Sequence, residues 1–182
     1  MNKALIILSE LTDRDIDWVV NYGHQENVSA STVLIYENQP IAALYILLKG
    51  TLSVSVAAAG NQEVGRIGEG EVLGEMSFID GRLPSATVTA IEDSYVLSIP
   101  RQKLAEKMEQ DTLFSLRFYK AVTKLLPSRL RTTVNTFGKQ NQPSSLPKDP
   151  APAPASVVST EIDLEMQRHR LNFILERLQK TL

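Results

Sequence analysis

The residues best suited to chemistry lie between positions 74 and 90, which read GEMSFIDGRLPSATVTA. The segment begins with Gly74-Glu75 in a turn and continues through a short stretch compatible with a helix. It ends at Ser85, just before an alternating strand. Backbone amides that converge at a helix start favour an anion, and a nearby carboxylate and hydroxyl can orient a sugar and a phosphate oxygen. The segment therefore predicts a phosphate-binding cradle.

The rest of the chain offers no set of residues typical of catalysis or of metal binding. There are no cysteines, which excludes disulfides and thiolate metal sites and indicates a reducing compartment. His24 and His169 are far apart in the sequence, so no histidine metal site is predicted. The motifs HExxH and GxxxxGK are missing, as is a Ser/His/Asp or Cys/His set. We therefore expect a protein that is not an enzyme.

Composition predicts one soluble domain with appendages. A chain of 182 residues with 43% hydrophobic content can bury one sizeable core. The apolar run at 4–8 is too short for a signal core or a membrane span, so we expect a cytoplasmic protein. Residues 1–100 are mainly acidic and residues 101–139 mainly basic. The basic segment is either the solvated face of an amphipathic helix or a contact for nucleic acid or an acidic partner.

The elements that would position the cradle are short strands behind an N-terminal helix. Thr12 or Asp13 is a candidate N-cap, and Gly23 ends the helical spacing of apolar residues. Brief apolar runs follow, each bounded by turn residues, and each predicts a strand. The predicted strands are residues 32–36, 44–48, 52–56, 63–67, 86–91 and 95–99. Their near-regular spacing indicates a mainly β protein, a small barrel or jelly roll with accompanying helices.

After Pro100 the apolar period becomes helical. Residues 101–110 suit one helix, and residues 113–137 carry a broad apolar stripe that predicts a long helix, kinked near Pro127. The stripe is wider than contact with one barrel edge requires. We therefore expect a homodimer formed through residues 113–137.

The C-terminal part divides into a linker and a helix. Residues 139–158 are rich in proline and predict a disordered linker, which separates a domain at 1–138 from an amphipathic helix at 159–182. The candidate partner-binding residues on one arc of this helix are Leu164, Leu171, Ile174, Leu175 and Leu178. Phe173 lies on the opposite side. The helix either packs back on its own domain, pairs with its copy, or docks on another protein through residues 160–182.

The order of these features resembles the cyclic nucleotide-binding domain family of the cAMP receptor protein type. The resemblance covers residues 11–138. Its matching blocks are Tyr36-Glu37-Asn38, residues 44–50 (LYILLKG), residues 68–75 (GEGEVLGE), Ser85-Ala86-Thr87-Val88 and residues 129–133 (RLRTT). The resemblance implies a jelly roll with an N-terminal helix, a long C-terminal dimerisation helix and, in this chain, a tethered terminal helix.

The resemblance also implies the roles of residues in the cradle. Glu75 would bind the ribose, and Gly74 and Met76 would contribute backbone. Ser85 and Ala86 would meet the cyclic phosphate of cAMP or cGMP. Thr133 on the long helix would contact the base.

This chain departs from the family pattern at one position of the cradle. The family has an arginine immediately before Ser-Ala, and this chain has Pro84. Loss of a guanidinium contact to phosphate is expected to weaken binding about tenfold or more. Arg82 lies two residues earlier and could replace the missing contact only if its side chain turns inward.

Two functions follow from the resemblance. The first is a regulatory or adaptor protein that acts through protein contacts of its terminal helix and has lost ordinary nucleotide affinity. The alternative is a true cyclic-nucleotide sensor that binds cAMP or cGMP through Glu75, Ser85 and Arg82. Too few residues follow Gly138 for a helix-turn-helix domain, so DNA binding of that type is not expected.

Overall fold

The structure is a computed structural model, and it describes residues 10–124 together with residues 130, 169, 172, 173 and 176. The helices are α1 (Asp13–Tyr22), α2 (Glu75–Asp80), α3 (Arg101–Gln110) and α4 (residues 112–124). The strands are β1 (His24–Val28), β2 (Val33–Ile35), β3 (Ala43–Lys49), β4 (Leu52–Ser55), β5 (Glu63–Ile67), β6 (Val72–Leu73), β7 (Thr87–Ala90) and β8 (Ser94–Pro100). A 3-10 helix spans Ala57–Ala59.

The strands form two antiparallel four-stranded sheets. One sheet has the order β1-β8-β3-β6 and the other the order β2-β7-β4-β5. Apart from β4 and β5, which pair directly, strands that are adjacent in a sheet are not consecutive in the sequence, as in a jelly roll. The predicted fold class, mainly β with helices, is confirmed. Each of the six predicted strands is present, with its ends within one residue of the predicted ones.

The strand β3 is apolar on both faces because it separates two cores. Leu44, Ile46 and Leu48 pack with the helices, while Leu47 points into the space between the two sheets. Alternate side chains of a strand lie on opposite faces, so a sheet covered on both sides needs apolar residues at successive positions. The same alternation places Val96 of β8 between the sheets and Leu97 under the helices.

The N-terminal helix begins at the predicted position. Thr12 is the N-cap of α1, and Thr12 and Asp15 form a capping box, in which each side chain bonds the backbone N–H of the other residue. At the other end of the helix, the N–H of Gly23 donates to the carbonyl of Val19 at 2.9 Å. The capping box therefore fixes the residue at which α1 begins.

The described part of α4 divides the predicted apolar stripe between two faces. Its inner face is buried in the domain's own core, through Phe114, Phe118, Ala121 and Val122. Leu113, Leu116 and Tyr119 are exposed. Most of the stripe up to residue 124 is therefore used by the domain itself, and a narrower apolar face remains. The predicted kink at Pro127 lies outside the described residues.

Two strands were not predicted from the sequence. In β1, four of the five side chains, from His24 to Asn27, are exposed, so the strand has no apolar alternation and is held by its pairing with β8. The strand β6 has only two residues, Val72 and Leu73, which is too short for a period to show. Both strands lie at an edge of their sheet.

Among the described residues near the C-terminus, Phe173 contacts the core. Phe173 is half-buried and packs against the helical core cluster, while His169, Asn172 and Glu176 are exposed. The predicted linker at 139–158 and the predicted partner-binding residues lie outside the described residues. Where the chain is described, no helix is both long and apolar enough to cross a membrane.

Candidate functional site

The predicted cradle begins at a turn that only glycine fits. Gly74 connects β6 to α2 and has φ of 83°, in the left-handed region that other residues rarely adopt. A Cβ at this position would lie 2.6 Å from Cδ1 of Ile41 and 3.3 Å from the carbonyl oxygen of Ala43. The left-handed conformation therefore requires the glycine, while the end of the Ile41 side chain would have to shift to admit a Cβ.

The next two residues have opposite surroundings. Glu75 is the first residue of α2, and only 1% of its surface is exposed. Met76 is about half exposed. Gly74 is the N-cap of α2 and has no side chain, so the first amides of the helix receive no side-chain cap. The geometry thus buries the carboxylate predicted to bind a ribose and leaves the adjacent apolar side chain at the surface.

The second half of segment 74–90 is hydrogen-bonded to the loop between β2 and β3. Pro84 is buried, and its carbonyl accepts a hydrogen bond from the N–H of Asn38 at 2.9 Å. Nearby, the hydroxyl of Thr87 accepts from the N–H of Glu37 at 3.1 Å. Ser85 is exposed and Ala86 is half-buried. Position 84, where the resemblance implies an arginine, therefore holds a buried, uncharged ring.

Arg82 is exposed and contributes to a cleft beside the cradle. Its backbone N–H donates to Oδ1 of Asp80 at 2.9 Å, next to Gly81, which is left-handed with φ of 71°. The cleft has a volume of about 310 Å³. Its lining residues are Pro40, Ile41, Ser77, Gly81, Arg82, Leu83, Pro84 and Arg101. Arg82 therefore shares a cleft with Pro84, whereas the predicted ligand residues Glu75 and Ser85 are outside its lining.

The sequence analysis missed Arg101, the second basic residue of this cleft. One terminal nitrogen of its guanidinium donates to the carbonyl oxygen of Ser77 at 2.8 Å. The guanidinium carbon lies 5.6 Å from the centre of the Phe78 ring, within the range of a cation–π contact. Two contacts thus orient the side chain.

One signal in the sequence points to Arg101. It is the first residue of a helix, where the helix dipole disfavours a positive charge. A positive charge at the start of a helix is unfavourable unless other contacts stabilise it, as the Ser77 carbonyl and the Phe78 ring do for Arg101.

The predicted site residues are thus only partly brought together. Gly74, Glu75 and Met76 lie at the start of α2, and Arg82 lies beyond its end. Thr133 lies outside the described residues. Among the described residues no three histidine, cysteine or acidic side chains are grouped as a metal site would require.

A family model and several known proteins match this chain. The model of the cyclic nucleotide-binding domain matches residues 25–111. The cyclic AMP receptor protein of Thermus thermophilus is 28% identical over 102 residues, which are 55% of this chain and 47% of that protein. A lysophospholipase nte1 of Emericella nidulans is 29% identical over 136 residues, which are 73% of this chain and 8% of that protein. The chain thus spans less than half of either relative.

Solved structures show the same fold. A cyclic nucleotide-binding domain from Methylobacillus flagellatus superposes with a TM-score of 0.68 at 19% identity, covering 79% of this chain and 85% of that one. The catabolite activator protein of Thermus thermophilus gives a TM-score of 0.59 at 23% identity, covering 74% and 62% of the two chains. At these identities the likeness concerns the fold alone.

Proposed function

We propose that this chain, whose residues 25–111 belong to the cyclic nucleotide-binding domain family, is a regulatory protein with a weakened nucleotide site. In this proposal it acts as an adaptor, through a homodimer interface on α4 and through the apolar face of its terminal helix. It has no catalytic activity of its own. Its relatives include a protein named a lysophospholipase, but this chain corresponds to only 8% of that protein.

The burial of Pro84 is the observation that carries this proposal. An arginine in this place would offer a charge-assisted, bidentate contact to phosphate, and proline offers no donor at all. The ring is buried and its carbonyl is bonded to Asn38, so the backbone is fixed where the charge is missing. A cyclic phosphate bound at Ser85 would therefore lack its cation.

Calorimetric titration with cAMP and cGMP tests the weakened site. We expect little or no heat from the wild-type chain. The Pro84→Arg variant should bind at least about tenfold more tightly, since it restores one charge-assisted contact. Ile79→Arg is the matched control, because it adds the same charge at an exposed position of α2 outside the cleft and should not restore binding. Tight binding of either nucleotide by the wild-type chain would refute the proposal.

A specific observation favours the alternative, a true cyclic-nucleotide sensor. Arg82 lines the same cleft as Pro84, and its side chain makes no ion pair with any described carboxylate. A guanidinium in that position is available to an anionic ligand. If the wild-type chain does bind cAMP, and Arg82→Gln removes the binding, the sensor function is the correct one.

The exposed face of α4 supports the homodimer. Leu113 and Leu116 are each almost two-thirds exposed, and Tyr119 follows on the same side of the helix. Three large apolar side chains in a row are poorly placed in water. A second copy of this chain would cover them with the same residues, in a two-fold interface.

The adaptor proposal predicts a separable role for the terminal helix. Deleting residues 159–182, or replacing both Leu171 and Leu175 by glutamate, should abolish co-purification of a protein partner. The double replacement should leave the melting temperature nearly unchanged, since the predicted arc of these leucines is opposite Phe173. Phe173→Ala is the control and should lower the melting temperature slightly without loss of the partner, because Phe173 packs on the domain. Co-purification that survives the deletion contradicts the adaptor role.

A further inference from the structure

The cleft on the flank of the cradle has the dimensions of a small-ligand site. It lies between Pro40-Ile41 on one side and the residues that follow α2 on the other, with Arg101 contributed by α3. Its volume of about 310 Å³ is at the lower end of the roughly 300–1,000 Å³ of ligand pockets. A ligand of one ring or less and one charged group fits that space.

Two guanidinium groups belong to this cleft. Neither Arg82 nor Arg101 forms an ion pair with a carboxylate of the described residues. The nearest acid in the sequence, Asp80, uses one carboxylate oxygen to accept the backbone N–H of Arg82. Arg101 is oriented by Ser77 and Phe78, and one of its five N–H donors bonds the carbonyl oxygen of Ser77. Two arginines thus line the cleft, and the hydrogen bond to Ser77 uses only one of the donors of Arg101.

The walls of the cleft indicate the rest of the ligand. The apolar lining consists of Pro40, Ile41, Leu83 and Pro84. Leu83 is half exposed, so its side chain is accessible to a ligand in the cleft. Apolar walls around a few convergent donors favour a ligand with an apolar body and one anionic group.

We propose that this cleft binds a small organic phosphate monoester, with the phosphate between Arg82 and Arg101 and the apolar body against Leu83 and the two prolines. Two guanidinium groups match the double negative charge of a monoester, and each can bind two phosphate oxygens at once. The site differs from the predicted nucleotide site in its lining, because Glu75 and Ser85 do not line the cleft. It shares Arg82 with the sensor alternative.

Titration of the full-length chain with phenyl phosphate, followed by amide chemical shifts in NMR, tests the proposal. We expect saturable shifts at residues 77–84 and at Ile41, with much smaller shifts at residues 85–88. Phenol and benzoate, which carry the ring without the phosphate, should bind about tenfold more weakly or not at all. Arg82→Gln and Arg101→Lys should each weaken phenyl phosphate about tenfold, the lysine because it cannot form the bidentate contact.

Arg14→Gln is the matched control, because Arg14 is an exposed arginine of α1 outside the cleft. It removes the same charge and should leave the affinity unchanged. The proposal is wrong if phenyl phosphate gives no saturable shifts, if benzoate binds as tightly as phenyl phosphate, or if Arg82→Gln weakens binding no more than Arg14→Gln does. Shifts centred on residues 85–88 would likewise overturn it and would assign the phosphate to the cradle instead.

Discussion

Replacement of Phe114 by alanine is expected to lower the free energy of unfolding by about 4 kcal/mol, the cost of deleting a fully buried aromatic side chain. Phe114 has no exposed surface. Its ring centre lies 5.6 Å from that of Trp18 on α1 and 6.2 Å from that of Phe118. The cavity would open where α1 and α4 meet, and thermal unfolding should shift down by roughly 10 °C. Calorimetry or chemical denaturation measures the change.

Leu116→Ala is the control on the same helix. Leu116 is 65% exposed, so its truncation should change stability by about 0.5 kcal/mol or less. If α4 forms the homodimer interface, Leu116→Glu should instead shift the chain from dimer to monomer in analytical ultracentrifugation. Equal destabilisation by Phe114→Ala and Leu116→Ala would contradict the division of the stripe into a buried and a free face.

Replacement of Asp15 by alanine is expected to lower the free energy of unfolding by about 3 kcal/mol, at the lower end of the cost of breaking a buried ion pair. Asp15 is 2% exposed and receives two hydrogen bonds from Arg117, at 2.6 and 2.8 Å. It also receives hydrogen bonds from the N–H and hydroxyl of Thr12. The arginine is 26% exposed and can partly rehydrate, which places the effect at the lower end.

The same pair predicts a loss of stability in acid. Burial on its own would raise the pKa of Asp15, but the hydrogen bonds from Arg117 and Thr12 outweigh burial and hold the pKa below its ordinary value. A carboxyl with a lowered folded-state pKa stabilises the fold fully above the unfolded-state pKa. The contribution is lost as the pH falls below about 4 and through the lower folded-state value. Stability measured from pH 7 to pH 2 should therefore fall less steeply in Asp15→Ala than in the wild type.

Asp13→Ala is the matched control for Asp15→Ala, because Asp13 is an exposed aspartate in the first turn of the same helix. It should cost no more than about 0.5 kcal/mol. Destabilisation as large as that of Asp15→Ala would show that charge at the helix start, and not the bond to Arg117, is what matters. The partner Arg117 is far away in the sequence, and no spacing rule connects it with Asp15.

Much of the fold could be predicted because, in most elements of this chain, the residues that form an apolar pattern in the sequence are also the buried ones. The strand β3 is apolar at almost every position, and the turn residues Lys49-Gly50 directly follow its apolar run. The capping box of α1 involves residues three positions apart, so the helix start shows in the sequence. The strand β1 could not be found, since its four polar residues pair through their backbones with β8, more than sixty residues away. Backbone pairing leaves no pattern in the side chains.

The sequence alone determined the positions of six strands, the glycine turn before Glu75 and the absence of an arginine before Ser85, because these depend on residue types and on neighbours along the chain. Only the tertiary structure decided that Phe114 and Phe118 belong to the domain's own core, that Pro84 is buried, and that Arg101 shares a cleft with Arg82. These are contacts between segments distant in the chain. Their distances depend on how the two sheets and the helices pack, and packing brings together residues whose spacing in the sequence carries no signal.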